Sequence, residues 1–231
     1  MQKRNATAAV IGAGDYIGAE IAKKFAAEGF TVFAGRRNGE KLEPLVKEVE
    51  AAGGTIFGRA LDARKEEETA AFLADADKHA PLEVCIFNVG ANVNFPILET
   101  TDRVFRKVWE MACWAGFVAG RESARLMLPR GQGNIFFTGA TASLRGRAGF
   151  AAFAAAKSGL RAVAQSMARE LGPQGIHVAH IVIDGAIRSA TRPDPADRPD
   201  STLDPDAIAQ TYLDILRQPR NAWTWEVELR P

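Results

Sequence analysis

Residues Gly133 to Lys157 read GNIFFTGATASLRGRAGFAAFAAAK. Asn134 to Phe137 is a short apolar run suited to a strand buried on both faces. It breaks into a loop of small residues, Thr138 to Ser143, and a long helix is expected from about Gly149 to Leu171. Phe153 and Lys157 stand four residues apart, hence on one helical face, with Lys157 reaching toward the loop. Thr138, Thr141, Ser143 and, farther along, Asp184 are the nearby groups able to hydrogen-bond a substrate. Such residues equally cap loops, so both roles stay open.

Outward from this stretch, strand and helix patterns alternate, which predicts βαβ units and a parallel sheet. Strands are expected at Thr7–Ile11, Thr31–Ala34, Thr55–Arg59, Leu82–Phe87, Ile176–Ile183 and Trp223–Leu229. Helices are expected at Tyr16–Glu28, Glu40–Ala52, Lys65–His79, Thr101–Leu128 and Leu203–Gln218. Arg192 to Thr202, with three prolines and several aspartates, reads as a mobile loop. No linker divides the chain, so residues 1–231 form one Rossmann-like, doubly wound α/β domain with about seven strands.

Composition narrows the function. A net charge of +1 with 25% charged residues draws the chain neither to nucleic acid nor to an anionic membrane. The apolar stretches are far too short for a membrane span. Lys3 and Arg4 precede an apolar segment that runs into a glycine turn, so it reads as a strand rather than a signal peptide. Cys85 and Cys113 sit in apolar contexts and suggest reduced core thiols in a cytoplasmic protein. No His, Cys and carboxylate spacing suits a metal, and His79, His177 and His180 read as surface or strand residues.

A second stretch carries chemistry. Val10-Ile-Gly-Ala-Gly-Asp-Tyr-Ile-Gly18 follows a strand and opens a helix. Gly12, Gly14 and Gly18 let backbone approach a pyrophosphate, whose charge suits the helix N-terminus at Tyr16 and Ile17. Strand two ends Gly35-Arg36-Arg37, where paired guanidinium groups favour a phosphate. Asp62, just past strand three, has the composition of a helix N-cap.

Together these stretches resemble the short-chain dehydrogenase/reductase family across nearly all of the chain. That family places a serine at the strand end and a Tyr-x-x-x-Lys on the following helix. Here Ala140 and Phe153 stand at the serine and tyrosine positions, and Lys157 alone is kept. An alternative tyrosine register used by some enoyl reductases falls on Phe150, and the two tyrosines, Tyr16 and Tyr212, match neither. The asparagine of the family tetrad corresponds to Cys113, anchored by Gly116. The glycine turn departs at Tyr16, where the commoner version has glycine.

The resemblance implies further roles. An acidic ribose ligand is missing at Gly35, so Arg36 and Arg37 imply NADP(H) over NAD(H). Asp62, with Ala63, would meet adenine. Asn88-Val89-Gly90-Ala91 matches the family's Asn-Asn-Ala-Gly, Asn88 tying strand ends together and Gly90 letting cofactor pass. Asp184-Gly185-Ala186-Ile187 overlays the Pro-Gly stretch at the nicotinamide carboxamide, and Lys157 would hold the nicotinamide ribose. The implied activity is an NADP(H)-dependent oxidoreductase with a non-standard site, acting on a small carbonyl or related unsaturated compound. Lys157, Thr141 and Ser143 are its candidate catalytic groups. The competing expectation is a catalytically silent nucleotide-binding protein on the same fold. Relatives pair their long helices across a two-fold axis, which implies a homodimer or homotetramer.

Overall fold

The computed structural model describes residues 3–231. Seven strands form where short apolar runs are bounded by turns: β1 (Thr7–Ile11), β2 (Thr31–Arg36), β3 (Thr55–Ala60), β4 (Leu82–Phe87), β5 (Gly133–Thr138), β6 (Ile176–Ile183) and β7 (Glu226–Leu229). They make one sheet in the order β3-β2-β1-β4-β5-β6-β7, with every neighbouring pair parallel. The strand order reverses between β1 and β4, the place where such sheets open a crevice at their carboxyl ends.

Helices α1 (Ile17–Ala27), α2 (Glu43–Ala51), α3 (Glu66–His79), α4 (Asp102–Trp109), α5 (Ala115–Met127), α6 (Ala151–Leu171) and α7 (Pro205–Leu216) cover both faces. One layer of core packs Phe25, Phe30, Leu42 and Tyr212 from the α1, α2 and α7 side. The other packs Leu73, Phe87, Met127, Phe137 and Leu160 from the α3, α5 and α6 side. All eight residues of β6 are buried, including two histidines. His177 Nε2 meets Thr224 O at 2.9 Å, and His180 Nδ1 meets the Glu226 carboxylate at 3.0 Å, which satisfies one nitrogen of each ring.

Two expected elements differ. The helix expected over Thr101–Leu128 is interrupted by a π turn at Glu110–Trp114. The extra residue re-phases the helix, so that Gly116 and Gly120 face the interior. A Cβ there would lie 2.4 Å from Leu160 Cδ1 or 2.8 Å from Phe137 Cζ, so only glycine permits the approach. The helix expected over Glu40–Ala52 begins as a 3-10 turn, Gly39–Leu42, and restarts as α2 with Pro44 in its first turn, where the missing N–H costs nothing. Residues 192–202 form the expected loop without helix, within which Asp194 accepts from Thr202 N at 2.8 Å and Thr202 Oγ1 at 2.6 Å. Among the described residues no helix is long and apolar enough to cross a membrane, and no cluster of potential metal ligands forms. Both cysteines are buried and unpaired.

Candidate active site

A cavity of about 750 Å³ opens at the carboxyl ends of the strands, with Ile11, Gly35, Asn88, Thr138 and Ile183 at its floor. Its first wall is the turn between β1 and α1. Gly12 has φ +93°, a conformation side chains avoid, and a Cβ there would lie 2.7 Å from Asn88 O. Asn88 Nδ2 donates to Gly12 O at 3.0 Å, so this side chain fastens the end of β4 to the end of β1. Gly14 and Gly90 line the cavity, and a Cβ on either would meet no atom within 4 Å. They leave open backbone where a ligand can lie against it. Tyr16 is the N-cap of α1 and contributes no side-chain cap. The first N–H groups of this helix therefore have no acceptor within it and favour an anion. Tyr16, Ile17 and Gly18 all line the cavity.

The second wall follows β2 and β3. Arg36, Arg37, Asp62 and Ala63 line it. A Cβ at Gly35 would sit 2.7 Å from Leu61 Cδ2, so a side chain there would require Leu61 to shift. Asp62 is not the cap of α3, whose N-cap is Lys65. Its carboxylate instead accepts from Arg64 N at 3.2 Å and Arg64 Nε at 2.9 Å. The Arg64 guanidinium is the main reason its pKa falls to about 2.

The far end of the cavity is largely apolar, lined by Val89, Met111, Ala140, Phe153 and Ile183. Lys157 enters it from α6 at 3% exposure. Its ammonium donates to Thr138 O at 2.8 Å and Val89 O at 3.3 Å, and burial without a carboxylate partner lowers its pKa to about 8. Ammonium has three donors, so one remains for the cavity.

Five candidate residues, Thr141, Ser143, Asp184, Gly185 and Ile187, do not line the cavity. Thr141 Oγ1 donates to Asp184 at 2.6 Å, and Ser143 Oγ accepts from Ala140 N at 3.1 Å. Both hydroxyls therefore brace the loop after β5, and neither lines the cavity. Asp184 is further paired with Arg145 at 2.8 Å and Arg230 at 3.3 Å. Gly185 is packed so closely that a Cβ would lie 2.7 Å from Pro231 Cδ, and Ile187 bridges to Leu203. Gly185 is nonetheless exposed, and neither it nor Ile187 lines the cavity. Thr138 does line the cavity, but its hydroxyl shares a 2.6 Å hydrogen bond with the fully buried Tyr212, whose pKa burial raises. Tyr212 itself does not line the cavity. Cys113 is buried at the π turn, its Sγ 2.9 Å from where a Cβ of Gly159 would stand.

Residues the sequence reading missed include Asp15, Lys41 and Met111. Asp15 was visible as the one charge within the glycine turn. Met111 is brought in by the π turn, which no periodicity announces.

A family-wide sequence pattern described as short chain dehydrogenase matches residues 6–196. The chain is 30% identical to a putative ketoacyl reductase of Streptomyces coelicolor over 74% of its length and 67% of that protein. It is equally 30% identical to a galactitol 2-dehydrogenase (L-tagatose-forming) of Cereibacter sphaeroides, over 75% and 68%. Its structure superposes on a crystal structure of a short-chain dehydrogenase from Rhodopseudomonas palustris with TM-score 0.89, 73% identity and 99% of both chains. A metagenomic short-chain oxidoreductase in complex with NADP gives TM-score 0.86 at 26% identity, covering 99% of this chain and 98% of that one. With the glycine turn, the strand order and the lysine on α6 in place, the chain belongs to the short-chain dehydrogenase family of oxidoreductases.

Proposed function

We propose that this chain is an NADP(H)-dependent oxidoreductase for a small carbonyl or conjugated unsaturated compound, in which Lys157 takes on the proton-holding role. The observation that carries this is the placement of one buried ammonium in an otherwise apolar cavity end. Open backbone at Gly14 and Gly90, the uncapped start of α1 and the arginine pair after β2 fit a dinucleotide with its phosphates. When bound, the reduced nicotinamide supplies hydride. The protein's own groups do the rest. Thr138 O and Val89 O aim the Lys157 ammonium, while Phe153, Met111 and Ile183 exclude water. An ammonium with pKa about 8 can hydrogen-bond a carbonyl oxygen and release a proton to it as charge develops. Phe153 and Ala140 can do neither, so simple ketones should turn over slowly.

One observation favours the competing reading, a nucleotide-binding protein without turnover: the Thr141 and Ser143 hydroxyls have structural partners instead of facing the cavity. The test is sequential. NADPH and NADH binding is measured by calorimetry, and a panel of ketones, aldehydes and enones is then followed by nicotinamide absorbance. Tighter NADPH binding, by about tenfold for one charge-assisted phosphate contact, and turnover lost in Lys157→Met support the oxidoreductase. Binding without turnover of any compound supports the silent reading.

A further inference from the structure

The second wall of the cavity holds an ion pair that the arrangement of arginines does not explain. Arg36 Nη1 donates to Asp15 Oδ1 at 2.6 Å and to Lys41 O at 3.3 Å. Asp15 projects from the glycine turn with its side chain 69% exposed, whereas Arg36 is 19% exposed. Both line the cavity, together with Arg37 and Lys41. Among the described residues, Arg37 is exposed and makes no side-chain hydrogen bond or ion pair. Its charge is felt at Asp62, whose carboxyl it helps to hold in the ionised form.

The pair follows from topology. Ile11 at the end of β1 is the parallel neighbour of Gly35 at the end of β2, so the segments leaving the two strands emerge side by side. A carboxylate four residues past Ile11 and a guanidinium one residue past Gly35 therefore meet across the cavity mouth. A phosphate arriving at Arg36 meets a guanidinium already neutralised and a carboxylate that repels it.

We propose that Asp15 is a specificity-determining residue of this cavity. It holds Arg36 as an internal pair and opposes a ribose 2′-phosphate, leaving Arg37 as the arginine that recognises that phosphate. This rests on the NADP(H) reading above and refines it: the preference for the phosphorylated cofactor is narrower than two arginines imply. It also assigns the two arginines different duties, Arg36 structural and Arg37 recognition.

The experiment measures NADPH and NADH dissociation constants by calorimetry for wild type, Asp15→Asn, Arg36→Ala and Arg37→Ala, with melting temperatures as a check on folding. Asp15 is exposed, so its asparagine variant retains the turn. Asp15→Asn is expected to tighten NADPH about tenfold, the scale of one charge-assisted contact, and to leave NADH unchanged. Arg37→Ala is expected to weaken NADPH by a similar factor, more than Arg36→Ala does, again without touching NADH. The ratio of wild-type affinities tests the NADP(H) reading, and the change in that ratio on Asp15→Asn tests this proposal. Equal wild-type affinities with a selective gain in Asp15→Asn would remove the former and keep the latter. An unchanged ratio in Asp15→Asn, or a greater loss in Arg36→Ala than in Arg37→Ala, overturns the proposal. A protein binding neither nucleotide in any variant overturns both.

Discussion

At the residue scale, Lys157 concentrates the unusual chemistry. Its ordinary pKa of 10.5 is lowered to about 8 because the ammonium is buried with only two carbonyl oxygens as partners. Between those values the unfolded chain holds more protons than the folded one, so stability rises with pH across that window. Below about 8 both states are protonated and the contribution is constant. The gain amounts to roughly 3 kcal/mol, at ~1.4 kcal/mol for each pKa unit. Thermal unfolding of wild type and Lys157→Met, compared over this range, should show the rise in wild type alone. Turnover has the opposite trend: with Lys157 as proton donor, the rate falls as pH passes about 8. A rate that stays level through that pH would assign the proton to another source.

At the scale of elements, the strand β5, its loop and α6 bring Ala140, Phe153 and Lys157 to one cavity. Ala140 and Phe153 both line the cavity beside Lys157, so side chains restored there would face the same space. Ala140→Ser with Phe153→Tyr is expected to raise ketone reduction by about 10²-fold, the lower range for a general acid. Either change alone should give far less, because groups that act as a unit are non-additive. The check is steady-state kinetics at saturating NADPH for the two single variants and the double. Adding Cys113→Asn should lower the melting temperature instead, since Cys113 Sγ already sits against Gly159 and a longer side chain overpacks it. A double variant no faster than wild type would mean that the loop no longer presents these positions to substrate.

At the scale of the whole molecule, the outer faces of α4 and α6 are the surfaces suited to assembly. Phe105 and Trp109 are about two-fifths exposed on α4, at 40% and 41%. On α6 the exposed positions Ala155, Ser158, Ala162 and Ser166 are small and recur at helical spacing, which permits close approach of another helix. The expected outcome is a homodimer or homotetramer by light scattering at about 10 µM, a concentration set by the micromolar range of weak association. Ala162→Glu should shift the distribution to monomer while circular dichroism stays unchanged. A wild-type monomer at that concentration would leave these faces without a partner copy.

The sequence alone determined the sheet, its likeness to one family, and which turns meet at the cavity. Strand runs, the glycine turn from Gly12 to Gly18 and the Gly35-Arg36-Arg37 end of β2 are local patterns, and the parallel βαβ rule orders them. The resemblance that sets Ala140 and Phe153 at the family's serine and tyrosine positions likewise needs only register. What the tertiary structure decided involves groups far apart in the chain. Thr141 is spent on Asp184 and Ser143 on the loop backbone, while Gly185 stands beside Pro231 and away from the cavity. Whether a hydroxyl faces a cavity depends on which distant partner satisfies it, and composition carries no record of that. The π turn that carries Met111 is likewise a packing feature, since the glycines of α5 that follow it press against α6 and β5. The pairing of Asp15 with Arg36 stood between these cases. Each charge was readable, but only the parallel register of Ile11 with Gly35 brings the two segments together.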